Sequence, residues 1–315
     1  MKKYILSVIV VCFASLSLFG FVNYYRYYVN RDLSVNGPIL AYQLAKLDQA
    51  LDVDTVFVGD SSLGNGLDAA YFDQLVGTCS LNLALTGSHH FSGTLNMIRR
   101  ALASSRKIRQ VVVVQSLWVW GGASSYDGYV STVGGFWSVP GDLIVNLRLV
   151  RQFLFKHLDV RSAVAPKNFL PALRYAVTGE RGQVTDATTF ATFDYQSSEG
   201  RFLLGRYDNQ PKPQLNPDAG RFLRQIGVLC QQRQIRCLYI HGPIYADAVA
   251  SWRGVLPSIN DRIVASGVTL VEPGLIVFGD ADRGDTEFHI HPTAKRAFTR
   301  RYAELIAPYL HGDGR

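Results

Sequence analysis

The residues best suited to chemistry fall in three short segments far apart in the chain. The first is Val58-Gly59-Asp60-Ser61-Ser62, directly after a short apolar run. A serine there can project its hydroxyl from a tight strand-to-helix turn, but it is a weak nucleophile until a base takes its proton. The second is Asn82-Leu83-Ala84-Leu85-Thr86-Gly87. Its glycine permits close backbone approach, and its N–H can point at a developing oxyanion. The third, Gly284-Asp285-Thr286-Glu287-Phe288-His289-Ile290-His291-Pro292, holds two acid–histidine pairs at the same spacing. Asp285 with His289, or Glu287 with His291, could supply an imidazole base oriented by a carboxylate. Each segment also has a plain structural reading. Loop serines satisfy backbone groups, glycines end strands, and a histidine can cap a helix start.

The elements around these segments place them on one edge. Pro38 to Leu51 has leucines at helical spacing. Val53 to Val58 reads as a buried parallel strand, and Asp68 to Val76 as a helix with Asp68 as N-cap. Cys79 to Leu85 is a second strand, Phe91 to Ser104 a helix, and Gln110 to Trp118 a third strand with four consecutive valines. After a break, Pro217 to Gln232 reads as a helix, Cys237 to Ile240 as a strand, Pro257 to Ser266 as a helix and Val268 to Val271 as a strand. A last helix runs from Thr293 to Leu310 behind Pro292. Strands alternating with helices predict an α/β fold with a parallel sheet covered on both faces. Residues 121–214 interrupt that rhythm and read as an insertion, with an apolar basic helix near Asp142 to His157 and a polar loop holding Pro211 and Pro213.

Taken together, the three segments resemble the SGNH (GDSL-like) hydrolase and acyltransferase superfamily. Gly59, Asp60 and Ser61 match its Gly-Asp-Ser block. Gly87 matches its glycine oxyanion donor, in a stretch similar to Asn-Leu-Gly-x-x-Gly whose first residue, Asn82, is a further oxyanion-binding candidate. His289-Ile290-His291-Pro292-Thr293-Ala294 looks like its His-Leu-x-Pro-x-Gly run. The resemblance covers about Asp54 to Leu310, apart from the insertion. It implies a flavodoxin-like three-layer sandwich, with Ser61 as nucleophile, His289 as base and Asp285 as its acid. His291 and Glu287 are the rival pair. The departures are specific. Asp285 stands four residues before His289 rather than three. The expected Gly-x-Asn-Asp after the third strand is replaced by Gln115-Ser116-Leu117-Trp118, so Gln115 or Ser116 would have to stand in for the missing asparagine donor. With the N-terminal segment, these features are similar to the membrane-tethered branch associated with polysaccharide export and O-acetylation.

That N-terminal segment starts with Lys2 and Lys3, after which Tyr4 to Val22 carries no charge. This is just long enough to cross a bilayer as a helix, and Tyr24, Tyr25, Tyr27 and Tyr28 follow where an interfacial belt would sit. The expected organisation is a membrane anchor over 1–22, a tether over 23–36 and a catalytic domain over 37–315. A cleaved signal peptide is the competing reading. An uncleaved anchor predicts a single-pass protein of the cytoplasmic membrane; Lys2 and Lys3 favour an inner N-terminus with the domain in the periplasm or outside the cell, while Arg26 and Arg31 pull the other way. The chain of 315 residues has net charge +7, but its basic residues are scattered, which argues against nucleic acid as a partner. No Cys/His spacing resembles a zinc site, and neither metal nor organic cofactor is implied. Cys230 and Cys237 flank a short polar turn and read equally as a disulfide or as two buried thiols. His89 and His90 could line the site. Trp118, Trp120, Tyr126, Tyr129 and Trp137 could stack on sugar rings or form a local core. The implied partners are a carbohydrate or acyl-ester substrate and polysaccharide-biosynthesis membrane proteins. A reading of a different class is also open: a non-catalytic assembly or sugar-binding component of an envelope polysaccharide system.

Overall fold

The computed structural model describes residues 2–26, 37–49, 52–105, 107–121, 128–129, 132–133, 159–179 and 214–310. The chain divides into two compact units, one of residues 1–41 with 130–187 and one of residues 42–129 with 188–315. The expected helix near Asp142 to His157, the loop with Pro211 and Pro213, Tyr126 and Trp137 lie outside the described residues.

In the first unit, α1 (Lys2–Tyr24) is long and apolar enough to cross a membrane, with mean hydropathy 2.6 over its best window. Its C-terminal end packs against α7 (Val160–Ala163) and α8 (Pro166–Thr178) through Phe19, Phe21, Val22 and Tyr25.

The second unit is built on a five-stranded parallel sheet. Its strands are β1 (Thr55–Gly59), β2 (Ser80–Asn82), β3 (Gln110–Gln115), β4 (Arg236–His241) and β6 (Thr269–Glu272), in the order β2-β1-β3-β4-β6. A small parallel pair, β5 (Ile244–Tyr245) with β7 (Val277–Phe278), stands apart. The strands are apolar runs because both faces are covered. Val112, Val114, Leu238 and Ile240 pack with Phe298 and Tyr302 of α12 (Lys295–Leu310). On the other face, α5 (His90–Ser104) packs on β1, and α9 (Pro217–Arg233) on β4 and on α11 (Leu256–Ala265), which the short α10 (Val249–Arg253) precedes. Two further helices flank the sheet ends: α4 (Ala69–Val76), capped by Asp68 accepting from the Tyr71 amide at 3.0 Å, and α2 (Gly37–Gln49).

Four expectations differ, the second strand spanning only Ser80–Asn82 rather than Cys79 to Leu85. The third strand stops at Gln115, and Trp118 opens a one-turn helix, α6 (Trp118–Gly121), because Ser116 leaves the sheet to bond a carboxylate. The last helix starts at Lys295, after a 3-10 turn over Pro292–Ala294. Ser61 itself opens a helix, α3 (Ser61–Gly66), where the sequence pattern shows only a loop. Cys230 and Cys237 are both buried free thiols, and the Cys237 thiol is pushed up by its hydrogen bond with Cys230 and by burial.

Gly59 shows how tightly β1 is held. It is paired with Val114, and a Cβ there would lie 1.7 Å from the Val114 carbonyl oxygen. No rotamer relieves a clash between backbones. Gly59→Ala should therefore force β1 away from β3 and lower stability by about 1–3 kcal/mol or more, as read by denaturant unfolding.

Candidate active site

The four neighbouring strands β2, β1, β3 and β4 each carry a candidate loop at their carboxyl ends, where open α/β sheets bind ligands. The loop after β1 carries Asp60 and Ser61. That after β2 carries Gly87, that after β3 Ser116, and that after β4 Gly242.

Ser61 Oγ lies 2.7 Å from His289 Nε2, and His289 Nδ1 lies 2.7 Å from Asp285 Oδ1. A carboxylate only accepts, so Nδ1 carries the imidazole proton and Nε2 accepts from the serine hydroxyl. The four-residue spacing of acid and base follows from the loop's shape. Arg283 and Ile290 form an antiparallel bridge, Gly284 N–H donates to His289 O at 2.8 Å, and His291 N–H donates to Asp282 O at 2.6 Å. This closed hairpin returns His289 to Asp285. His291 is engaged elsewhere: its Nδ1 is 2.8 Å from Thr293 Oγ1 and caps the Pro292–Ala294 turn. Glu287 contributes its backbone carbonyl, which accepts from Tyr245 N–H at 2.8 Å.

Asp60 is the polar centre of the site, although it belongs to neither acid–histidine pair. Its side chain is buried and accepts four hydrogen bonds. Oδ1 takes the Ser62 amide at 3.0 Å and the Ser62 hydroxyl. Oδ2 takes the Ser116 amide at 3.0 Å and the Ser116 hydroxyl. Gly242 closes over this cluster, for a Cβ there would sit 2.3 Å from Ser62 Oγ.

The residues expected to help bind an oxyanion divide into two groups. Neither the Ser61 nor the Gly87 backbone N–H has a hydrogen-bond partner among the described residues. The side chains of the other three are committed to the fold. Asn82 Nδ2 donates to Leu67 O and its Oδ1 accepts from Ala84 N–H. Gln115 Nε2 donates to Thr94 Oγ1 at 2.7 Å, and the Ser116 hydroxyl serves Asp60. The stand-in role expected of the Gln115 or Ser116 side chain thus meets donors already spent on buried acceptors.

The structure adds residues that the sequence reading passed over or left undecided. Trp118, 44% exposed, has its six-membered ring beside Gly87, where a Cβ would stand only 3.1 Å from the indole. His90 stacks against Trp118 with ring centroids 5.4 Å apart. It does so from a strained backbone, with φ +48°, and burial pulls its imidazole down. His89 is buried and bonds Thr86 Oγ1 at 3.1 Å. Trp120 and Tyr129 are fully buried and belong to the core face around Phe91, Tyr239 and Phe222. Among the described residues, no group of three or more His, Cys, Asp or Glu is placed to hold a metal ion.

Lys295 is the least expected feature. It is 2% exposed, and its Nζ donates to Gly64 O at 2.9 Å, at the C-terminal end of the helix that Ser61 opens. Thr299, one turn on, bridges the same region: its hydroxyl lies 3.5 Å from Gly66 O and accepts from Asp68 N–H at 2.9 Å. A cation at a helix C-terminus complements the carbonyl dipoles there. Lys295→Met strands the Gly64 carbonyl and should cost about 1–3 kcal/mol. Lys295→Arg should retain part of that stability, both read by thermal unfolding.

Acid should weaken the fold in a defined window. Burial pulls the imidazoles of His89 and His241 down to about 4, from the ordinary 6.5. Between those values the unfolded chain binds protons that the folded chain refuses, so stability is full above pH 6.5 and falls as pH drops toward 4. The thermal midpoint should follow that course, and His241→Gln should lose less over the same interval.

Comparison with protein-family models, with curated proteins and with solved structures finds no match to this chain.

Proposed function

We propose that the chain is a membrane-tethered serine esterase or O-acyltransferase of SGNH type, acting on acyl esters, acetyl foremost, of a polysaccharide outside the cytoplasm. The observation that carries this reading is the continuous proton path from Ser61 Oγ through His289 to Asp285, with both contacts at 2.7 Å. Such a path is what converts a serine into a nucleophile. The strand order β2-β1-β3-β4-β6 supports it, being that of flavodoxin-like doubly wound sheets. Residues resembling the superfamily's blocks stand at the carboxyl edge of that sheet. The length and hydropathy of α1 support the tether.

In this mechanism His289 Nε2 takes the hydroxyl proton as Ser61 Oγ attacks the ester carbonyl. The oxyanion is met by the backbone N–H groups of Ser61 and Gly87. His289 then returns the proton to the departing alkoxide oxygen, leaving an acyl-Ser61 ester. Water or a sugar hydroxyl attacks that ester, giving up its proton to His289, and Ser61 leaves with it. Asp285 stays ionised and holds the imidazole in the required tautomer.

A second reading, a non-catalytic sugar-binding or assembly component, draws on the commitment of Gln115 and Ser116 to buried partners. Loss of a third oxyanion donor typically costs about 100- to 1,000-fold in rate. The two readings separate by fluorophosphonate labelling. The wild-type chain should be labelled and Ser61→Ala should not. Asp285→Asn should slow labelling by on the order of 10,000-fold, and His291→Ala should label like the wild type. A folded wild-type chain that resists the probe but binds acetylated polysaccharide would leave the non-catalytic reading standing.

A further inference from the structure

We infer that α7 and α8 form a membrane-interface element: the apolar outer stripe of α8 lies in the headgroup boundary of the bilayer that α1 crosses. This rests on the reading of α1 as an anchor, and three observations within the first unit carry it.

The first is attachment. α7 and α8 are fixed to the end of α1 by a buried cluster of Val22, Tyr25, Ala163 and Ala172, with Phe19, Phe169 and Tyr175 packed around it. The Tyr25 and Tyr175 rings lie 5.2 Å apart. Buried Asn23 donates to Asp159 O at 3.3 Å, which ties down the start of α7. Wherever the end of α1 sits, these helices sit with it.

The second is depth. A rise of about 1.5 Å per residue puts Phe19 and Val22 roughly 22 and 27 Å beyond Tyr4. With Lys2 and Lys3 at one headgroup layer, that is the far boundary of a hydrocarbon core about 30 Å thick.

The third is the stripe itself. α8 turns Phe169, Ala172 and Tyr175 toward α1. Leu170, Leu173 and Val177, at i, i+3 and i+7, are 60%, 47% and 79% exposed. Val160 and Val164 beside them are also exposed. One stripe is thus covered by protein while a second, mostly apolar stripe faces outward, with exposed Arg174 set within it and the cations of Arg161 and Lys167 exposed on the same two helices. Apolar side chains accompanied by Lys and Arg are the composition of helices that lie in an interface beside anionic lipid. The level of the stripe on α1 decides for lipid over a second protein surface.

The test uses the full chain in vesicles of phosphatidylethanolamine and phosphatidylglycerol, with exposed Cys12 and Cys79 replaced by serine. Nitroxide labels are attached to Val10→Cys, Leu173→Cys and Val177→Cys in separate samples. The expected result is that all three labels are reached by oxygen, and that the Leu173 and Val177 positions are shielded several-fold from a water-soluble nickel chelate. If Val10 reports lipid while Leu173 and Val177 are open to the chelate, the interface element is refuted and the anchor stands. If the two are closed to both reagents, protein covers the stripe and the inference fails. If Val10 itself is open to the chelate, the anchor reading falls first.

Discussion

The buried carboxylate of Asp60 is the constraint around which the site is arranged. A carboxyl group removed from water needs hydrogen bonds to replace its hydration, and here all four come from two segments. Ser62 stands in the first turn of α3, directly after β1, and Ser116 in the loop after β3, so satisfying Asp60 welds the two strand ends together. The weld explains why β3 stops where it does, since the Ser116 amide is turned to Asp60 rather than along the strand. It also explains a glycine at 242, because any side chain there would occupy the space of the Ser62 hydroxyl.

The second requirement concerns α3. A six-residue helix is too short to hold itself together in water, yet its first residue must be placed to a fraction of an ångström. It is gripped at both ends. Asp60 caps its first turn, Lys295 takes up the Gly64 carbonyl, and Thr299 accepts from the Asp68 N–H just past its other end. Lys295 follows the His289 loop by only a few residues. The segment that presents the imidazole therefore also holds the helix that presents the hydroxyl, and the two groups are referenced to each other directly.

The alternation of strands and helices was legible because buried parallel strands are dense β-branched runs, and Val111 to Val114 is the plainest of them. The meeting of Ser61, His289 and Asp285 was legible because residue type and strand-end position agreed in three separate segments. The choice between His289 and His291 was not, since spacing alone cannot show a hairpin closing on itself. Asn82, Gln115 and Ser116 misled for a common reason. An amide or hydroxyl beside a site looks available in sequence, and only the buried acceptors around it reveal that it is spent. Lys295 could have been noticed. It occupies the stripe of Phe298, Thr299, Tyr302 and Ile306 on α12, and a lone cation on a buried stripe asks for a carbonyl or carboxylate. The hold of α7 and α8 on α1 lay beyond reach, because a contact between segments so far apart leaves no local pattern.

The position of α2 has one more consequence. β2 is an outer strand of the sheet, three residues long, with one side unpaired among the described residues. Gln43 Nε2 donates to Ala84 O at 2.6 Å, and Lys46 Nζ donates to Asn82 O. These side chains cap carbonyls that would otherwise be open to an incoming strand from another molecule. The amphipathic helix between the apolar N-terminus and the sheet thereby acts as an edge guard, suppressing the strand-to-strand aggregation to which parallel sheets with bare margins are prone.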